Sequence, residues 1–422
     1  MLRGLLAISP IVLFLLLYLA VSLIIGDFYK MPIAVALLVA SAWAVAILRG
    51  KSIAERVELF SRDAGSPNVM YMVWIFVLAG AFAALAKEVG SVDATVNLTL
   101  RFLPVELIIP GLFMAACFIS LAIGTSVGTV VALTPLAAEL AATGGDSVPF
   151  FVAVVLGGAF FGDNLSFISD TTIAATRTQG CKMNEKFKAN FAIVLPAALI
   201  TLALYVVFGV QLEEIVVVPG ANYWLIIPYV LVIALALAGI NVTIVLGAGI
   251  VSCLAIAAFG GFALIDMLGF MGSGIESVGN LVIITLLAAG MLGLIKAAGG
   301  IDFILKVMGK GIHGPRGAKA AVATLVGIVN LCTANNTVAI LTVGSLSKDI
   351  ATRFNIPARK MASLLDTCSC IVQCLIPYGA QTLLATGLAG IAPSAPWPYL
   401  YYPWALALCV AVAVAIKRKP KQ

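Results

Sequence analysis

Charge is scarce in this sequence: Asp, Glu, Lys and Arg make up 10% of 422 residues, and there is a single histidine. A water-soluble domain covers its surface with roughly 25% charged residues, so most of this chain must face lipid or other apolar helices. No H-E-x-x-H, G-x-S-x-G or P-loop pattern occurs, which argues against the common hydrolase and nucleotide-binding chemistries. The chain is expected not to be an enzyme and to need no cofactor. His313 falls in a basic loop and reads as a solvated residue rather than a proton relay. The eight cysteines offer no zinc spacing: Cys368, Cys370 and Cys374 cluster without a C-x-x-C pair, and read as small packing residues in a tight helix.

Apolar runs are abundant. They cover residues 5–25, 31–48, 71–86, 103–123, 191–210, 223–238, 240–262, 281–295, 318–330 and 399–416. A bilayer core about 30 Å thick takes about 20 helical residues, and spans without water must be helices or closed barrels. Continuous runs rather than period-two alternation select helices. The first run is about twice the 7–15-residue core of a signal peptide, and no small-x-small site follows, so it is expected to stay as the first helix. The net charge of +6 sits in a few loops and in residues 417–421. With no soluble domain to carry a basic surface it reads as topology charge on the cytoplasmic side, and no nucleic-acid partner is expected.

The chain repeats itself weakly. Residues 85–93 match 294–302 at an offset of 209, through Leu85/Leu294, Lys87/Lys296, Gly90/Gly299 and Asp93/Asp302. Residues 125–134 match 333–342 at 208, and Asp163–Ser166 falls on Asp366–Ser369 at 203. Flanking charge then gives orientation. Residues 137–150 hold no Lys or Arg, whereas 348–360 hold Lys348, Arg353, Arg359 and Lys360; after the Asp motifs the pattern reverses, with Arg177, Lys182, Lys186 and Lys188 against none in 384–400. Matching motifs with opposite flanking charge predict inverted halves. The expected fold is an all-α polytopic membrane protein of two inverted-topology repeats, residues 1–212 and 213–422, with discontinuous helices. It has about 12–14 membrane elements, some of them re-entrant, particularly around 333–347. Lys87 and Arg101 then lie outside, against the charge rule. Both termini are expected in the cytoplasm, and the chain in the inner (cytoplasmic) membrane.

Inverted repeats put a substrate site near the midplane, where broken helices meet. The densest polar stretch, residues 157–180, holds Asp163, Asn164, Ser166, Ser169, Asp170, Thr171 and Thr172 with three glycines before them. An aspartate at the bilayer centre costs about 2.5–3.5 kcal/mol on insertion scales, so it needs a cation, a proton or a polar network. Sodium takes hard oxygen ligands, and a carboxyl group in low dielectric favours its neutral form. One carboxylate can therefore bind sodium or a proton but not both, which is the simplest route to antiport. Asp163 is the first choice for the exchanging group, with Asn164 and Asp170 as further candidate sodium ligands. Asp170 lies about two turns on if the helix continues, or else caps the next half-helix. A polar helix break with capping residues and no transported ion remains the bland alternative.

In the second half Asn335, Asn336 and Thr337 supply amides and a hydroxyl, and Asp366, Thr367, Ser369 and Gln373 form a mirror motif (333–347 and 366–381). Asp366 is either an ion ligand, a structural acceptor or a partner of nearby Lys360. Thr129, in the Thr/Gly stretch 124–135, is either part of the path or a small residue for close packing. Glu139 reads as solvated near a helix end, and Tyr378 and Gln381 either line a cavity or mark an ordinary kink with an interfacial tyrosine.

The run G-G-A-F-F-G-D-N-L-S-F-I-S-D-T-T-I-A-A-T-R-T-Q-G at 157–180 closely resembles the signature of NhaC-type sodium/proton antiporters, within the larger ion-transporter superfamily. The Thr/Gly stretch ending at Pro135 is similar to the family as well. The resemblance implies exchange of sodium or lithium for protons, with Asp163, Asn164, Ser166, Asp170 and Thr171 in or beside the ion path, and one bundle moving past a fixed scaffold. It also extends to exchangers of organic acids such as malate and lactate, so a small carboxylate or amino acid is the alternative substrate. Phe167 stands where many members carry proline. The partners expected are membrane lipid and a monovalent cation, and a homodimer is one assembly such a carrier can adopt.

Overall fold

The computed structural model describes residues 2–25, 31–102, 104–145, 147–166, 169–208, 222–238, 240–308 and 314–415. Phe167, His313, the 212/213 boundary and the basic residues 417–421 lie outside the described residues. Within them the first ten helices are α1 (Leu2–Ile25), α2 (Ile33–Ile47), α3 (Ile53–Ala64), α4 (Pro67–Glu88), α5 (Ser91–Phe102), α6 (Ile108–Ile123), α7 (Ser126–Thr143), α8 (Val148–Leu165), α9 (Asp170–Gln179) and α10 (Met183–Val207). The next ten are α11 (Ile227–Leu237), α12 (Val242–Phe259), α13 (Leu264–Ser277), α14 (Gly279–Ala297), α15 (Gly300–Met308), α16 (Gly314–Thr333), α17 (Asn336–Arg353), α18 (Ala358–Leu375), α19 (Ala380–Leu388) and α20 (Tyr401–Ala415).

Every apolar run of the sequence is mainly helical over its described residues, and seven helical stretches are long and apolar enough to cross a membrane, with five shorter apolar helices beside them. Ile244, Val251 and Phe259 on α12 and Trp404, Leu408 and Val412 on α20 are exposed. A soluble protein rarely displays such rows, whereas a lipid-facing helix must. The chain is an all-α, multi-pass membrane protein. The short α3 is different in kind, amphipathic and closed by a capping box: Ser52 N donates to Glu55 Oε2 at 2.6 Å, and Glu55 N to Ser52 Oγ at 3.3 Å. Hydrogen bonding from Ser52, first from its main-chain N–H and then from its hydroxyl, holds the Glu55 carboxyl below its ordinary range.

Packing repeats with the same order as the helices. α3 lies on α14 as α13 lies on α4; α2 lies on α14 as α12 lies on α4; α6 lies on α8 as α16 lies on α18; α9 lies on α17 as α19 lies on α7. Small residues allow the closest of these approaches. A Cβ on Gly158 would meet the Ala116 methyl, and one on Gly162 would overlap Ser120, so α8 is pressed onto α6. Ser120 Oγ seals that seam by donating to Ala159 O at 2.5 Å. α8 consequently runs through the middle of the molecule, buried for nearly its whole length.

The helix breaks recur at one register. α6 and α16 end at Ile123 and Thr333; Gly124 (φ 73°) and Ala334 (φ 49°) then turn left-handed, and Thr125 (φ −144°, ψ 125°) and Asn335 (φ −148°, ψ 114°) are extended. α7 with α17 and α8 with α18 begin and end in matching pairs, 210 residues apart: Ser126/Asn336, Thr143/Arg353, Val148/Ala358 and Leu165/Leu375. The offset of 209 is retained at Gly90 and Gly299, both left-handed, but the offsets of 208 and 203 are corrected. Backbone geometry repeats there, whereas residue identity does not. Asp163 is therefore equivalent to Gln373, and Asp366 to Leu156.

Candidate functional site

α8 stops at Leu165, and Ser166 takes an extended conformation (φ −65°, ψ 140°). α9 starts again after its N-cap Ser169, whose Oγ accepts from Thr172 N at 3.3 Å and donates to Asp163 O at 2.7 Å. Thr171 Oγ1 reaches the same carbonyl at 3.2 Å. The break thus frees the carbonyls at the end of α8, as any helix terminus does, and two hydroxyls hold one of them. The Asp163 side chain turns the other way, to the start of α7. Ser126 N donates to its Oδ1 at 3.0 Å and Ser126 Oγ to its Oδ2 at 2.6 Å. The first N–H groups of a helix, together with its dipole, favour a negative charge at that point.

From Ser126 a chain of side chains crosses to the second half. Gln381 Nε2 donates to Ser126 Oγ at 3.0 Å, and Gln373 Nε2 donates to Gln381 Oε1 at 3.0 Å and to Ala334 O at 3.1 Å. Gln373 thus sits at the second break as Asp163 sits at the first, carrying no charge. Facing this chain is a cavity of about 470 Å³, walled by Asp163, Asp170, Thr171, Thr125 and Ser126 from one half and Asn335, Asn336, Thr337, Gln373 and Gln381 from the other. At its edge lie Tyr71 and Asn241, joined by a bond of 3.3 Å. Asn335 Oδ1 caps α17 by accepting from Val338 N at 2.9 Å, and Asn336 Oδ1 accepts from Thr337 N at 3.1 Å. Asp163 is 5% exposed, and Asp170 is exposed. Among the described residues no three His, Cys, Asp or Glu side chains group as a metal cluster. The donors here are one or two carboxylates with hydroxyls, amides and carbonyls, a set for a weakly held hard cation.

Six of the residues expected from the sequence meet at this cavity: Asp163, Asp170, Thr171, Asn335, Asn336 and Thr337. Asp170 reaches it from the first turn of α9, because α8 does not continue through to it; Ser169, not Asp170, is the cap. Two others, Thr129 and Ser369, turn their hydroxyls to the backbone, and a third, Ser166, is held at the break. Thr129 Oγ1 donates to Thr125 O at 3.2 Å, Ser369 Oγ donates to Asp366 O at 2.9 Å, and the main-chain N–H of Ser166, a residue buried at the break, donates to Gly162 O at 2.7 Å. Tyr378 is not interfacial but buried, its hydroxyl donating to Leu331 O at 2.8 Å. Glu139 pairs with Lys87 at 3.8 Å.

Asn164 and Asp366 belong to a second polar centre behind the break. Asp366 pairs with Lys186, not Lys360, and neither Lys186 nor Asp366 is more than 1% exposed. Lys186, counted from the sequence among the flanking charges on the cytoplasmic side, is therefore a buried side chain. It is in the first turn of α10, on the buried stripe that continues through Asn190, Val194, Ala197 and Thr201. The i, i+4 spacing of Lys186, Asn190 and Val194 was the available signal. Ser126 gave none, since a serine among threonines and glycines is unexceptional until the fold sets it against an acid.

The description "Na+/H+ antiporter family" belongs to a family model that matches residues 4–210 and 212–416. Among individual relatives, the Na+/H+ antiporter NhaC of Bacillus subtilis is 24% identical, over 78% of this chain and 80% of its own length. A malate-2H+/Na+-lactate antiporter of the same organism is 23% identical, over 91% of this chain and 89% of its own. The arginine/ornithine antiporter ArcD of Halobacterium salinarum is 22% identical, over 82% and 78% respectively. With its break at Asp163 and a match along nearly its whole length, the chain belongs to the Na+/H+ antiporter family.

Proposed function

We propose that this protein exchanges sodium or lithium for protons by alternating access, with Asp163 as the group that takes one or the other. The observation that supports it is a carboxylate at a helix break, on the wall of a cavity shared by both halves, with Ser126 fixing both its oxygens. Protonation removes the charge that holds sodium, and sodium occupies the oxygen that would take the proton, so the two compete without further chemistry. The neutral Gln373 at the equivalent break leaves a single acid at the shared wall apart from the solvated Asp170. In a proteoliposome, sodium alone is expected to dissipate an imposed pH gradient. Asp163→Asn is expected to abolish this while the protein still folds; undiminished exchange in that variant would remove Asp163 from the mechanism.

The halves are proposed to be inverted in an inner membrane with both termini cytoplasmic, as the flanking charge suggests. In that arrangement α6–α7 and α16–α17 are re-entrant pairs entering from opposite sides, with their tips at Gly124 and Ala334. Tyr71 and Asn241, at the starts of α4 and α12, then lie on the cytoplasmic side, and the cavity they edge is open inward.

A second reading is a coupled exchanger of a small organic acid or amino acid. Its support is the cavity itself: about 470 Å³ exceeds what a bare ion fills and lies within the range of small-molecule sites, with the N-terminus of α17 and several amides in its wall. Two of the relatives are named for organic substrates. Uptake driven by a carboxylate or an amino acid, with no sodium effect on a pH gradient between about pH 6 and 9, would select this reading over the first.

A further inference from the structure

Behind the cavity, α10 buries a lysine among oxygens. Lys186 Nζ donates to Asn164 O at 2.8 Å and to Thr172 Oγ1 at 2.6 Å, and lies 2.5 Å from Asp366 Oδ2. The three oxygens come from three elements: the end of α8, the first turn of α9 and the middle of α18. Asn164 O is among the last carbonyls of α8, close to the negative end of that helix, where a cation is favoured. Asn190, one turn further along α10, donates to Asn164 O at 2.7 Å and to Asp366 Oδ2 at 2.8 Å. Carboxylate, carbonyl and hydroxyl oxygen form the donor set that a small hard cation takes. The centre also has unused acceptors: Asp366 Oδ1, Asn164 Oδ1 and Asn190 Oδ1 are all buried without a hydrogen-bond partner.

We infer that this centre is a second cation site, filled by the chain's own ammonium group, and that Lys186 thereby holds the number of sodium ions bound at one. The inference rests on sodium exchange at Asp163. Among the described residues the buried side chains with formal charge are Asp163, Lys186 and Asp366. Lys186 cancels Asp366, which leaves Asp163 as the one buried acid in need of a mobile partner. Lysine suits the place better than arginine, because its ammonium is a compact point charge that three oxygens can surround, whereas a guanidinium is a planar fork. Removing the ammonium while keeping Asp366 leaves a buried carboxylate uncompensated, an outcome proteins tolerate poorly unless another cation enters.

The test is the number of sodium ions bound by the purified full-length protein in lipid nanodiscs, measured with radioactive sodium. The unaltered protein is expected to bind one sodium ion, lost in Asp163→Asn. Lys186→Ala is expected to bind two, and Lys186→Ala/Asp366→Asn to return to one. Sodium is also expected to raise the melting temperature of Lys186→Ala more than that of the unaltered protein or the double variant. If Lys186 only ties α10 to α8 and α18, the single variant loses stability and gains no sodium, which would overturn the inference. So would a second sodium ion that persists in the double variant. Failure of Lys186→Ala to fold even in molar sodium, when the double variant folds, counts against it equally, since sodium should then substitute for the ammonium. An unaltered protein that binds no sodium would instead defeat the antiport reading, and the comparison between variants would show which of the two had failed.

Discussion

At the scale of single residues, Ser126 is as important to the site as the acid it holds. It donates to both carboxylate oxygens of Asp163, and through Gln381 it joins the acid to the second half. Hydrogen bonds to a charged group are worth about 1.5–3 kcal/mol. Ser126→Ala is therefore expected to raise the apparent KM for sodium by at least about tenfold, measured as sodium-dependent proton flux, with little change in melting temperature. Competition at one carboxylate sets a further expectation. As pH falls, the apparent sodium Kd should rise, approaching about tenfold per pH unit where the proton dominates; a pH-independent Kd would show that sodium and proton bind at separate groups. Asp163 was legible in the sequence because a charge in an apolar run must be compensated. Lys186 was counted only as flanking charge because it stands among other basic residues, and only the period of its helix places it inside. Gln373 could not be weighed correctly, because its equivalence to Asp163 lies in the backbone and not in the side chain.

At the scale of elements, the seam between α6 and α8 depends on glycine. A Cβ on Gly162 would overlap the Ser120 side chain and backbone, and such overpacking costs about 1–3 kcal/mol. Gly162→Ala is expected to lower the melting temperature, and because α8 carries Asp163, to slow exchange as well. Gly247 on α12 is the contrast: nothing lies within 4 Å of its Cβ position. Gly247→Ala is expected to be neutral or to stabilise by about 0.5–1 kcal/mol, the ordinary preference of helices for alanine. The long apolar helices were legible from hydropathy alone, since lipid leaves the backbone no other solution. The amphipathic α3 and the short α5, α13 and α15 were not, because at 9 to 14 residues each falls short of the roughly 20 that a span takes. The breaks were legible in place, from clusters of polar residues, but not in register. Ala334 shows why: a left-handed residue at the second tip occupies the position of Gly124 without being glycine.

At the scale of the whole molecule, two series of ten helices pack on one another by the same rules, and the charge pattern of the loops predicts that they face opposite ways. Single cysteines placed in residues 137–150 and 348–360 of a protein otherwise freed of cysteine should react with membrane-impermeant reagents from opposite sides. Labelling of both from the same side would leave a repeat without inversion. The pairing of Asp163 with Gln373 has a consequence for the transport cycle. With an acid at one break and the neutral Gln373 at the other, the proposed exchange has the same carboxyl group to offer to whichever compartment is open. Under the proposed antiport, sodium loading from the two sides of the membrane should thus be lost together in Asp163→Asn.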